Sequence, residues 1–270
     1  MRVVVAGGTG FVGRYIARAL LAAGHDVTVL TRHPDRIRRI PQLDGADGMW
    51  GDATDPTTLH GALQGMEAVV GVVTFPTYPA EIPRRGLTFD RYDRQVTENL
   101  VRAAEDQGVA RFLYISGAGA DPASDKTWYR AKGRAEAALR ASDLEWAIVR
   151  PSWAYGPEDR ALNRFVQIAR VSPVIPKLGV REQWIQPVFV ADVGAVVARI
   201  FARDDTWQRV YEVGGPDVLS MTQVIETMLD VTGRRRLIVP VPVPLLKLGV
   251  APLLVLPRPP MPPGGIEFAV

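Results

Sequence analysis

The chain contains no cysteine. Disulfides, thiol catalysis and cysteine-ligated metals are therefore excluded. Histidine is scarce as well. His25, His33 and His60 show no metal-ligand spacing, so no metal site is expected. No charge sign dominates: 32 Lys and Arg stand against 29 Asp and Glu, a net +3. The densest basic groups are Arg36, Arg38 and Arg39, then Arg234, Arg235 and Arg236. Each reads as a solvated face, and no nucleic-acid partner is expected. An uninterrupted apolar run long enough to cross a bilayer is also missing. Leu237–Leu256 is strongly apolar, but Pro240, Pro242, Pro244 and Pro252 break it and Lys247 lies inside it. Two readings stay open there. One is a segment packed on the core. The other is a peripheral membrane or hydrophobic contact through Leu245–Leu256. Met1 runs straight into an apolar strand without a signal-peptide pattern, so a cytoplasmic, at most membrane-peripheral, protein is expected.

What the chain does have is apolar content of 47%, enough for a sizeable core in 270 residues. It also has Gly7-Gly8-Thr9-Gly10-Phe11-Val12-Gly13 directly after the β-branched run Val3-Val4-Val5. The spacing is G-x-x-G-x-x-G. A strand, a glycine turn and a helix in that order bind phosphate. Glycine lets the backbone approach the pyrophosphate, and the helix N-terminus offers free N–H groups and a positive dipole end. A purely structural turn is the weaker alternative.

Strand and helix signals alternate through the first half. Strands are predicted at Arg2–Ala6, Val27–Leu30, near Ala46–Trp50, Ala68–Val73, Arg111–Ile115 and Trp146–Arg150. Helices are predicted from Phe11, from Asp55-Pro56, over Leu87–Gln107 and over Lys126–Ala141. This pattern predicts an α/β fold, a doubly wound parallel sheet of Rossmann type. After Pro151 the alternation loosens. Residues 152–185 read as loops with a short helix near Leu162–Arg170. Ala191–Ala202 reads as helix, Arg209–Val213 as strand, and Ser220 caps a helix to Leu229. The predicted division is a nucleotide domain of residues 1–151 and 186–214 and a small discontinuous C-terminal substrate domain of 152–185 and 215–270.

The second strand ends in Thr31-Arg32-His33. An acidic residue there would accept from the adenosine 2′-hydroxyl and favour NAD. Arg32 instead offers a fork to a 2′-phosphate, so NADP is expected over NAD. Asp52, after the third strand, is placed to accept from the adenine amino group. Val73 and Thr74 end the fourth strand as a wall for the adenine ribose.

Together these pieces resemble the short-chain dehydrogenase/reductase superfamily, in its atypical or extended, epimerase-like branch. The matching runs are Gly7–Gly13, Gly51-Asp52, Asp93–Leu100, Arg111–Ser116, Lys132, Arg150-Pro151-Ser152 and Tyr211–Pro216. Residues 150–160, Arg150-Pro151-Ser152-Trp153-Ala154-Tyr155-Gly156-Pro157-Glu158-Asp159-Arg160, with Leu162-Asn163, resemble the nucleotide-binding accessory subunits of respiratory complex I and their bacterial relatives. That group resembles reductases and is thought to bind NADPH largely without turnover. The resemblance implies a cofactor site of Gly7, Thr9, Gly10, Phe11, Val12, Gly13, Arg32, Asp52, Ala53, Val73, Thr74, Ser116, Lys132, Pro151, Ser152 and Trp153.

The resemblance also implies a catalytic set. In the family a tyrosine four residues before the helical lysine is the acid, the lysine holds the nicotinamide ribose, and a serine after the fifth strand orients substrate. Lys132 and Ser116 take the last two places. The tyrosine's place is held by Trp128, whose indole N–H donates but cannot shuttle a proton. Tyr129 stands one residue off, turned by about 100° on a helix. Two functions follow. In the first, Ser116, Tyr129 and Lys132 form a weak or atypical oxidoreductase or epimerase-like site for a small apolar or quinone-like substrate. In the second, the chain holds NADPH without catalysis, as a redox sensor or an assembly or stability factor.

Overall fold

The computed structural model describes residues 1–242 and Pro244. Its centre is a seven-stranded sheet built from β1 (Arg2–Ala6), β2 (Asp26–Thr31), β3 (Asp47–Trp50), β4 (Ala68–Gly71), β5 (Arg111–Ile115), β6 (Glu145–Pro151) and β11 (Arg209–Val213). All its neighbours pair in parallel, in the order β11-β6-β5-β4-β1-β2-β3. The predicted doubly wound sheet is therefore present. Its order reverses at β1 and β4, where such sheets open a ligand crevice beyond the strand ends.

Strand periodicity builds two cores. Val3 and Val5 point to one face, with Val27, Val29 and α1 (Phe11–Ala22); Val197 and Ile200 of α6 (Val190–Phe201) complete that layer. Val4 and Ala6 point to the other face, against Leu100 of α3 (Val96–Asp106) and Leu139 of α4 (Thr127–Arg140), with Leu63 of α2 (Leu59–Leu63). Alternate residues of one strand thus serve opposite layers.

Residues after β6 form short ladders. β7 (Ala154–Tyr155) pairs with β10 (Val188–Phe189), and β9 (Trp184–Ile185) with β12 (Leu219–Ser220). A separate small core joins α5 (Arg160–Val171), α7 (Met221–Val231) and β8 (Val174–Leu178) around Ala169, Ile175, Ile225 and Met228. Ser220 caps α7 in a reciprocal capping box with Gln223.

Two expectations change. The helix predicted over 87–107 begins as a wide π turn at Asp90–Gln95 and becomes α-helical only at Val96. Within that turn Tyr92 and Asp93 are both buried. Within the stretch read as loop, β8 pairs in parallel with β13 (Leu237–Val241). Pro176 and Pro240 lie in those strands; a two-stranded edge tolerates the missing donors that mask the signal in sequence. The contact predicted through 245–256 lies outside the described residues. Among the described residues, no helix is long and apolar enough to cross a membrane.

Candidate functional site

The glycine turn is shaped by close backbone approach. Gly7 has φ +92°, and a Cβ there would stand 2.5 Å from the Val72 carbonyl oxygen beyond β4. A Cβ on Gly13 would stand 2.3 Å from the Gly7 carbonyl oxygen. The Gly10 N–H donates to the Gly7 carbonyl at 2.9 Å and closes the turn. α1 then starts at Phe11 with no side-chain cap and no acidic residue in its first turn. The first N–H groups of a helix have no intrahelical acceptor, so those of Phe11, Val12 and Gly13 are offered to an anion. Arg14 braces the turn: its guanidinium donates to the Thr9 carbonyl at 2.9 Å and the Gly10 carbonyl at 3.1 Å.

Next along the crevice, Arg32 follows β2 and is half-exposed, 3.8 Å from the Asp52 carboxylate. Asp52 is fixed in turn by the Thr54 N–H (2.9 Å) and hydroxyl (2.8 Å). The Asn99 amide donates to the Ala53 carbonyl at 3.2 Å and ties this loop to α3. Val73 is half-buried and Thr74 exposed.

At the other end, the three residues proposed for catalysis have different companions. Lys132 is buried; its ammonium lies 2.8 Å from Asp93 and donates to the Ile115 carbonyl at 2.9 Å. Burial works against the ammonium, but the Asp93 carboxylate together with the Tyr114 and Tyr78 phenols outweighs it and holds the Lys132 pKa above the ordinary lysine value. The Ser116 hydroxyl donates to the Glu136 carboxylate at 2.5 Å. Glu136 is fully buried and also receives Arg150 at 2.7 and 2.8 Å and Arg140 at 2.8 Å. Ser116 is thus part of a buried network between β6 and α4. The Tyr129 ring lies against Gly119 and edge-on to Trp128, with centroids 4.8 Å apart. Trp128 covers Gly117: a Cβ on that glycine would stand 2.4 Å from the indole. Trp128 also joins an aromatic cluster of Phe75, Phe89, Tyr92 and Tyr78.

The strand β6 exit is tied to the segment before α6. The Ala118 N–H donates to the Pro151 carbonyl at 3.0 Å, the Ser152 hydroxyl to the Gln186 carbonyl, and the Val188 N–H to the Trp153 carbonyl at 3.0 Å. Sequence reasoning left two groups without a role. Asp93 enters the sequence reading only within the run Asp93–Leu100, open between a place on the cofactor cleft and a polar helical position, and Glu158 only within residues 150–160.

A sequence model of the family described as NAD(P)H-binding matches residues 7–173. NADH dehydrogenase (ubiquinone) 1 alpha subcomplex subunit 9, mitochondrial, of Arabidopsis thaliana is 29% identical, covering 92% of this chain and 62% of its own. A ceramide reductase of Caulobacter vibrioides is 32% identical over 65% of this chain and 53% of its own. The chain therefore spans less than two thirds of the length of each of these relatives. A solved UDP-glucuronic acid 4-epimerase from Bacillus cereus, in complex with UDP-glucuronic acid and NAD, shares the fold at a TM-score of 0.76. It is 18% identical, with 90% of this chain and 86% of that one covered.

Proposed function

This chain belongs to the NAD(P)H-binding family, and from that premise we propose that it holds NADP(H) without the tyrosine-dependent proton transfer of its reductase relatives. The residues present fit a dinucleotide. The uncapped α1 N-terminus and the glycine turn suit the pyrophosphate, and Arg32 suits a 2′-phosphate. When bound, the cofactor supplies a hydride at nicotinamide C4. Turnover of a carbonyl also needs a proton at the substrate oxygen. On helix α4, Trp128 stands where the acid is expected and its N–H does not exchange roles at neutral pH, while the Tyr129 ring one residue on packs against Gly119.

The observation that carries this reading is the Lys132–Asp93 pair. The ammonium sits 2.8 Å from a carboxylate and donates to the Ile115 carbonyl, and its pull on the neighbouring Tyr78 and Tyr114 phenols is outweighed by their burial, which holds both protonated. The likeness to a subunit of a larger dehydrogenase supports a role as a component, assembly or stability factor, with the nucleotide as a structural or redox-sensing element.

One observation favours a second reading, a weak carbonyl reductase. The Tyr78 phenol, on the loop after β4, belongs to the aromatic cluster with Trp128 and is held protonated by burial. The test is to titrate NADPH and NADH by fluorescence, then follow NADPH absorbance with aldehydes, ketones and quinones. Tight NADPH binding with no oxidation supports the holder. Oxidation that disappears in Tyr129→Phe overturns it, and oxidation that disappears only in Tyr78→Phe establishes the second reading.

A further inference from the structure

The motif at residues 156–163 lies outside the strands of the central sheet and reaches across the crevice. It starts over the glycine turn, where a Cβ on Gly156 would lie 3.4 Å from the Phe11 ring. Glu158 then docks on α1. Its carboxylate accepts from the Tyr15 hydroxyl at 2.8 Å and the Gln42 amide at 2.7 Å, and lies 3.8 Å from Arg14. Arg14 is the side chain that braces Thr9 and Gly10. Two residues on, Arg160 donates to the Pro76 carbonyl at 3.1 Å, on the loop that follows β4.

The span itself is rigid. Asp159 caps α5 by accepting from the Ala161 and Leu162 N–H groups at 2.8 and 2.7 Å. Asn163 donates to the Pro157 and Asp159 carbonyls at 2.8 and 2.7 Å. β1 and β4 are neighbours in the sheet, and the crevice lies beyond their ends. A braced segment pinned to α1 on one side and to the β4 loop on the other passes over the place where the pyrophosphate is expected.

We infer that residues 156–163 form a clasp over the bound dinucleotide, with Glu158 and Arg160 as its two positioning residues. The inference rests on the cofactor reading above. It gives a holder what a turnover enzyme does not need, a slow release step. Glu158 also sets the charge beside the phosphate turn, because its carboxylate is the partner of Arg14. Opening the clasp breaks contacts that contribute little to the encounter, so the effect falls on release.

The experiment measures NADPH release by stopped-flow displacement from the full chain, in the parent, Glu158→Gln and Arg160→Ala. Each variant is expected to release NADPH about tenfold faster, with association changed far less. Adenosine 2′,5′-bisphosphate is the control. It reaches Arg32 and the α1 N-terminus but lacks the nicotinamide half, and its affinity is expected to stay the same in Arg160→Ala, which leaves the charge beside the phosphate turn unchanged. In the parent, hydrogen exchange at 156–163 slows when NADPH is added. Arg160 is exposed, so its variant folds even if that of Glu158 does not. NADPH release equal to that of the parent in Arg160→Ala, or an equal loss of the bisphosphate, overturns the clasp alone. A parent that binds neither nicotinamide cofactor overturns the cofactor reading and the clasp with it.

Discussion

Lys132 and Asp93 form a buried ion pair at 2.8 Å, with side-chain exposures of 7% and 1%. They come from different helical segments, α4 and the π turn before α3. The pair places a carboxylate beside the lysine charge within the protein.

The first prediction follows from that pair. Removing one member of a buried pair leaves an uncompensated charge and costs about 3–5 kcal/mol. Lys132→Ala is therefore expected to lower the urea midpoint strongly even without cofactor. The double variant Lys132→Met with Asp93→Leu removes both charges and is expected to recover most of that loss. A Lys132→Ala chain as stable as the parent would show that the ammonium is not committed to Asp93.

Arg32 supplies the second prediction. It is half-exposed and only loosely held by Asp52 at 3.8 Å, so it can turn to a phosphate at small cost. A hydrogen bond to a charged group contributes about 1.5–3 kcal/mol. Arg32→Ala is expected to weaken NADPH at least tenfold while leaving NADH nearly unchanged, measured by fluorescence titration. Equal losses for both would remove the basis for the NADP preference.

The glycine turn was legible in the sequence because its geometry admits no side chain. Gly7 and Gly13 sit against backbone oxygens, so the pattern of residues and the pattern of contacts coincide. The parallel sheet was legible for a similar reason, since both faces of β1 are buried and its sequence is a continuous apolar run. The partners of Ser116 and Lys132 were not. Whether the side chain after β5 meets the crevice depends on one residue of register, because successive side chains of an extended chain point to opposite sides. Ser116 is directed to Glu136, while Gly117, the next residue, lies under Trp128. The partner of Lys132 was hidden by the π turn, which no apolar periodicity marks. The Glu158 link to Tyr15 joins residues 143 positions apart, beyond any local pattern.

The third prediction tests the turn itself. In Gly13→Ala the new methyl group would meet the Gly7 carbonyl oxygen at 2.3 Å, and backbone on both sides leaves it nowhere to go. The turn has to shift, which displaces the N–H groups of the first helical turn. Gly13→Ala is expected to abolish binding of NADPH and NADH alike. Gly61→Ala is the matched control, since a Cβ there meets nothing within 4 Å. Its cofactor affinities are expected to match the parent, and its stability to change by no more than about 0.5 kcal/mol.

The fourth prediction separates a substrate-orienting serine from a structural one. If Ser116 belonged to a catalytic set, its loss would leave stability intact and alter chemistry. Its hydroxyl instead donates at 2.5 Å to Glu136, a fully buried carboxylate that also gathers Arg140 and Arg150. Taking away a donor to a buried charged acceptor costs about 1.5–3 kcal/mol. Ser116→Ala is therefore expected to lower the urea midpoint by a corresponding amount while NADPH affinity stays near that of the parent. Ser116→Thr keeps the hydroxyl and is expected to restore much of the stability. The effect should also depend on Glu136: in a Glu136→Gln background, the same serine substitution is expected to cost less, because the acceptor no longer carries charge. A full-sized loss in that background would place the hydroxyl on some other partner. An undiminished urea midpoint in Ser116→Ala, joined to a loss of carbonyl reduction, would return Ser116 to catalysis.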